Sequence, residues 1–140
     1  MVDRERILGK IALLENYLGE LKTVVPISFK EYQRVEKKRS CERLLQLSIE
    51  VLIDICKLIV AGKKLGIPAE ENDLFNKLEA HKLLPMDVIS KLQDMRAFRN
   101  ILVHEYATVD DEIVYEKAKK RLKDFEEIKQ ALLKAVKNNC

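Results

Sequence analysis

The stretch Leu44-Leu45-Gln46-Leu47-Ser48-Ile49-Glu50-Val51-Leu52-Ile53-Asp54-Ile55-Cys56-Lys57-Leu58-Ile59-Val60 decides the fold. On an α-helix its apolar residues fall on nearly every face, so the helix must be buried against several neighbours. Two carboxylates, Glu50 and Asp54, interrupt the run four residues apart, and Gln46 and Arg43 extend that polar stripe towards the N-terminus. The stripe reads either as a flank grazing solvent or as the acidic partner of a buried cation elsewhere. Upstream, Ser28-Phe29-Lys30-Glu31 is a capping box, predicting one helix from Ser28 to about Ala61 with Gly62 and Gly66 at its end.

The neighbours are written in the flanking sequence. Ile7, Ile11, Leu14, Leu18 and Leu21 recur at three and four residues and predict a first helix from Asp3 to about Val24, ended by Pro26. A short helix from Asp73 to about His81 follows Asn72 as its N-cap, with His81 in a surface or capping role. A fourth helix starts near Pro85 and ends between Val103 and Tyr106. Asp110-Asp111 caps a fifth, from about Asp111 to Lys137, whose stripe is Val114, Ala118, Leu122, Phe125, Ile128, Leu132, Ala135 and Val136. The expected fold is all-α: one domain spanning residues 1–140, an up-down bundle of four long helices and one short one.

Composition agrees. The chain has 140 residues, 47% of them hydrophobic and 35% charged, with only four glycines and three prolines, which disfavours a turn-rich β fold and a disordered chain. A net charge of +3 allows an anionic partner without announcing a nucleic-acid binder. No apolar run reaches the length of a membrane span, and the N-terminus lacks the apolar core of a signal peptide. Cys41, Cys56 and Cys140 are odd in number and widely spaced, which suits reduced thiols in a cytoplasm better than a disulfide framework or a zinc site.

Chemistry concentrates at the end of the fourth helix, in Met95-Arg96-Ala97-Phe98-Arg99-Asn100-Ile101-Leu102-Val103-His104-Glu105-Tyr106. Counting about 100° per residue from Val88, Leu92, Met95 and Leu102 cluster within about 40° of their mean, and Arg99 sits among them at about 20°. An arginine in an apolar stripe needs a carboxylate, a pocket or a partner chain, and Glu50 or Asp54 is the candidate carboxylate. Arg96, Asn100 and His104, spaced at four, share an adjoining face. Histidine moves protons near neutrality, and arginine offers a planar cationic fork for phosphate. These are the parts for metal-independent RNA cleavage: His104 as base or acid, Arg99 stabilising charge on pentavalent phosphorus. One histidine in the motif of each chain suggests a two-fold dimer that brings two copies of the motif to one cleft. The same residues also fit a structural role, with His104 favoured at a helix C-terminus and Arg99 held by one carboxylate. The basic run from Lys117 to Lys123 fits either a solvated face or an RNA contact.

Arg99-Asn100-Ile101-Leu102-Val103-His104-Glu105-Tyr106 resembles the Arg-x4-His-x-Tyr signature of HepT-like proteins of the HEPN superfamily. The flanks are similar too: Phe98 before it, Val109-Asp110-Asp111-Glu112 and Val114-Tyr115 after it, and Ile49-Glu50 with Asp54-Ile55 on the second helix. The likeness extends from the first helix to about Ile128. It implies a homodimeric ribonuclease, the toxin of a prokaryotic toxin–antitoxin pair, whose antitoxin is a minimal nucleotidyltransferase that adds AMP to Tyr106. It gives Arg99 and His104 the catalytic roles, with Asn100 supporting, and needs neither metal nor cofactor. Arg96, Glu50 and Asp54 enter as supporting residues from the helical geometry. A bulky anionic adenylate beside Arg99 and His104 would exclude an RNA phosphate sterically and electrostatically. The alternative is a non-catalytic nucleotide-binding or substrate-presenting partner of a nucleotidyltransferase.

Overall fold

A computed structural model describes residues 2–104 and 110–138. Among them lie seven helices: α1 (Arg4–Val24), α2 (Phe29–Tyr32), α3 (Val35–Gly62), α4 (Glu71–Ala80), α5 (Met86–His104), α6 (Asp111–Lys120) and α7 (Leu122–Asn138). Helix α3 is the axis, touching each of the other six, as its all-round apolar run requires. Leu44, Leu45, Ile49, Val51, Leu52, Ile53, Ile55, Cys56, Ile59 and Val60 are all buried. Each large aliphatic side chain so buried contributes about 1.5–3 kcal/mol of transfer free energy. Ser48, the buried one of that run's polar residues, satisfies its hydroxyl by donating to the Leu44 carbonyl at 2.7 Å.

The other stripes pack as their spacing predicts. Ile7, Ile11, Leu14, Leu18 and Leu21 of α1 are buried, as are Val88, Leu92, Met95 and Leu102 of α5 and Phe125, Ile128, Leu132, Ala135 and Val136 of α7. Two of the expected caps form, the Ser28 hydroxyl accepting from the Glu31 amide at 3.2 Å and the Asp110 carboxylate from Glu112 at 2.9 Å, and the Asp3 carboxylate caps α1 by accepting from the Arg6 amide at 3.0 Å.

Two long helices are broken where one continuous helix is expected. The helix that starts at Ser28 stops after one turn, and Arg34 takes an extended conformation before α3 begins. The break lets Tyr32 turn inward against Tyr115, with ring centroids 5.2 Å apart, and Phe29 joins the same cluster. Tyr115 in turn donates its hydroxyl to the Pro26 carbonyl at 2.9 Å, fastening α6 to the α1–α2 corner. The second break is milder. At Arg121 the backbone is irregular, yet its N–H still reaches Lys117 and its carbonyl still accepts from Phe125, so α6 and α7 continue one path.

Helix α4 starts earlier than its predicted cap. Glu70 is the N-cap and Asn72 lies inside the first turn, while the Asp73 carboxylate accepts the Ala69 amide at 3.0 Å. The helix ends at His81, which is exposed at the C-cap. No helix among the described residues is long and apolar enough to cross a membrane.

Candidate active site at the end of helix α5

Helix α5 buries Val88, Leu92, Met95 and Leu102 against α3, and Arg99 lies on the shoulder of that stripe, where α5 meets α4. Its side chain is only 14% exposed. A guanidinium so far from water needs an anion, and it has one: Arg99 Nη2 pairs with Glu71 Oε1 of α4. The same oxygen accepts from Arg96 Nε at 3.0 Å. Arg99 Nε donates to the Asn100 side-chain oxygen, also at 3.0 Å. Two guanidinium cations thus share one carboxylate, which leaves one positive charge of the cluster uncompensated.

The carboxylate expected from the second helix does not fill this role. Asp54 faces α1, where it pairs with Lys10 at 3.4 Å, and Glu50 accepts from Gln46 Nε2 of its own helix at 3.1 Å. The polar stripe of α3 is therefore turned towards α1 and its own flank, and α4 supplies the acid instead. Glu71 could have been suspected from its place in an acidic first turn, Glu70-Glu71-Asn72-Asp73, where a carboxylate is favoured by the helix dipole. Its pairing with α5 is a tertiary fact that no local pattern carries.

His104 is the last residue of α5 and is exposed. Arg96, Asn100 and His104 follow one another along the helix at single-turn spacing, as the wheel requires. Tyr106, the proposed site of AMP addition, lies outside the described residues. The structure therefore brings Arg96, Arg99, Asn100 and Glu71 into one hydrogen-bonded cluster, with His104 about one helical turn beyond Asn100 on an open edge. Among the described residues, no group of three or more His, Cys, Asp or Glu side chains is placed to share a metal ion. Chemically, the cluster offers a fixed cationic fork for a phosphate and a solvent-facing imidazole for proton transfer.

An all-helical bundle with this arginine–histidine edge agrees with the HEPN-type architecture that the motif leads one to expect. The family model described as ribonuclease HepT-like matches residues 14–132, and the chain belongs to that family. It is 30% identical over 121 residues to the mRNA nuclease HepT of Shewanella oneidensis, covering 86% of this chain and 91% of that protein. It is 31% identical over 107 residues to the tRNA nuclease HepT of Aphanizomenon flos-aquae, covering 76% and 73%. Among solved structures it resembles the tri-AMPylated Shewanella oneidensis HEPN toxin in complex with MNT antitoxin, with a TM-score of 0.85 and 28% identity over 96% of this chain and 99% of that one.

Proposed function

We propose that this chain is the toxin of a prokaryotic toxin–antitoxin pair. It is an endoribonuclease, neutralised by a cognate minimal nucleotidyltransferase that adds AMP to Tyr106. The observation that carries this reading is the half-buried, carboxylate-held Arg99 near the end of a helix that finishes in an exposed His104, in a chain of the ribonuclease HepT-like family. Support comes from relatives named as mRNA and tRNA nucleases, and from a solved neighbour that is an AMPylated toxin in complex with its antitoxin. The whole chain acts as one domain, in the cytoplasm, where RNA and nucleotide are both at hand.

In the proposed mechanism, neutral His104 takes the proton of the ribose 2′-hydroxyl as the 2′-oxygen attacks phosphorus. Arg99 hydrogen-bonds the non-bridging oxygens, whose charge grows in the pentavalent transition state. The 5′-oxygen leaves and takes a proton from an imidazolium, leaving a 2′,3′-cyclic phosphate and a 5′-hydroxyl. Each chain brings one histidine to this edge, so the second proton-transfer group is His104 of the partner subunit in a homodimer. An adenylate on Tyr106, two residues beyond His104 in sequence, would oppose an RNA phosphate by bulk and negative charge.

Expression in a bacterial host tests this reading. Induction of the parent should arrest growth, while His104→Ala or co-expression of the cognate transferase should restore it. The co-expressed protein should gain mass in steps of one AMP residue, and Tyr106→Phe should abolish the gain. Continued growth on induction of unmodified parent protein would contradict the toxin assignment and favour a presenting partner.

A further inference from the structure

We propose that Glu71 is a positioning residue for Arg99: it holds the guanidinium plane so that one edge is committed to protein and the opposite edge to phosphate. The proposal rests on Arg99 being the phosphate-binding arginine. An arginine fork presents two usable edges, one formed by Nε with one terminal nitrogen and one formed by the two terminal nitrogens. In this chain the first edge is filled on both atoms. Nε donates to the Asn100 side-chain oxygen at 3.0 Å, and Nη2 donates to Glu71 Oε1. One Nη1 hydrogen and the outer hydrogen of Nη2 make up the second edge, which neither Asn100 nor Glu71 touches. That edge has the bidentate geometry that two oxygens of one phosphate require.

The carboxylate is well anchored for such a task. Three residues on one face of α4, Leu74, Phe75 and Leu78, are 1%, 0% and 0% exposed, so the helix that carries Glu71 is locked into the core. The Asp73 side chain closes the first turn by accepting the Ala69 amide. Glu71 also takes Arg96 Nε at 3.0 Å, which draws the second guanidinium to the same oxygen and spaces the two cations. Without that oxygen, two like charges on one helix face would have no common anion and would separate into solvent. The cost of Glu71 is electrostatic: its negative charge opposes an incoming phosphate. A residue of this kind should therefore raise the rate of bound RNA while weakening binding slightly, a pattern that a merely structural acid does not produce.

The test uses the full-length protein in single-turnover reactions, in excess over trace end-labelled total bacterial RNA. Two quantities are read: the maximal rate and the protein concentration that half-saturates it. Glu71→Ala should lower the maximal rate by about 30-fold, the scale of a misplaced catalytic group, with half-saturation unchanged or at lower protein concentration. Glu71→Gln keeps the accepting oxygen and removes the charge. It should hold the maximal rate within about threefold of the parent while half-saturating at lower concentration. Thermal unfolding of each variant, alongside the parent, shows that the fold is kept, and Glu71→Gln carries the test should Glu71→Ala fail to fold. Arg99→Ala separates the two layers of the argument. If it is inactive while Glu71→Ala keeps the parent's maximal rate, Glu71 does not position Arg99. If Glu71→Gln loses as much rate as Glu71→Ala, or the loss lies wholly in half-saturation, the proposal is also overturned. If Arg99→Ala cuts like the parent, the catalytic reading of Arg99 fails first.

Discussion

Tyr32 and Tyr115 lie in one aromatic cluster, and removing their hydroxyls should move stability in opposite directions. The Tyr115 hydroxyl donates to the Pro26 carbonyl at 2.9 Å across 89 residues of sequence, in a position where the ring is only 6% exposed. Tyr115→Phe leaves that carbonyl without its donor. A buried group stranded in this way costs roughly 1–3 kcal/mol, and about 1.5 kcal/mol is expected. Tyr32 is fully buried, and among the described residues its hydroxyl has no hydrogen-bond partner. Burial, followed by the neighbouring Cys41, Glu42 and Asp111, pushes its phenol well above the ordinary value of 10.0, so the neutral form is the one in the fold at pH 7. Tyr32→Phe removes a hydroxyl that was stripped of water for nothing. It should stabilise by about 0.5–2 kcal/mol, since protein data price an unpaired buried hydroxyl at roughly 1–3 kcal/mol. The two variants should therefore differ by about 2–3 kcal/mol, or roughly 6–10 °C in Tm for a chain of this size. Equilibrium urea unfolding at pH 7 and one fixed protein concentration reads both values. Equal destabilisation by the two substitutions would refute the reasoning, because it would mean that Tyr32 has a partner of its own.

Three further outcomes follow from the core and the site. Burial pushes the Cys41 thiol up to about 11 and the Cys56 thiol up to about 12 from an ordinary 9.0. Both stay protonated in the fold while the unfolded chain ionises above pH 9, so stability is intact below pH 9 and falls as pH rises towards 11–12. The loss should reach about 1.4 kcal/mol per thiol near pH 10, and Cys56→Ala should flatten the decline of unfolding midpoint with pH. Phe75→Ala empties a fully buried site beneath Glu71 and should cost about 3–5 kcal/mol in urea unfolding, along with activity. Ser28→Ala removes the cap of the one-turn α2 and should cost about 1 kcal/mol, with RNA cleavage unchanged.

The helical class was legible because the stripes of α1 and α7 bury one face, which period 3–4 spacing reports directly, while the apolar positions of α3 recur on nearly every face and are buried on them: Ile7, Leu14 and Leu21, Phe125, Ile128 and Leu132, and Leu45, Leu52 and Ile59 are all core. The break at Arg34 was not, since nothing around Gln33 and Arg34 forbids a helix. It arises because Tyr32 packs on Tyr115, a residue more than eighty positions away. The site divides in the same way. Arg99 was conspicuous as a cation in an apolar stripe, and the need for a carboxylate followed from desolvation alone. Which carboxylate was a matter of how α4 and α3 are rotated about α5, so Glu50 and Asp54 were reasonable candidates and Glu71 is the partner found. Sequence periodicity places residues on faces of their own helix; it does not say which neighbour that face meets.

The most direct measurement is the chemistry of the cut ends. Purified parent and His104→Ala proteins are incubated with total bacterial RNA in EDTA, and the fragment termini are identified by mass spectrometry. The account predicts that the parent leaves 2′,3′-cyclic phosphates and 5′-hydroxyls, and that His104→Ala, folded to the same unfolding midpoint, leaves the RNA whole. Cleavage that stops in EDTA, or equal cleavage by His104→Ala, would contradict it.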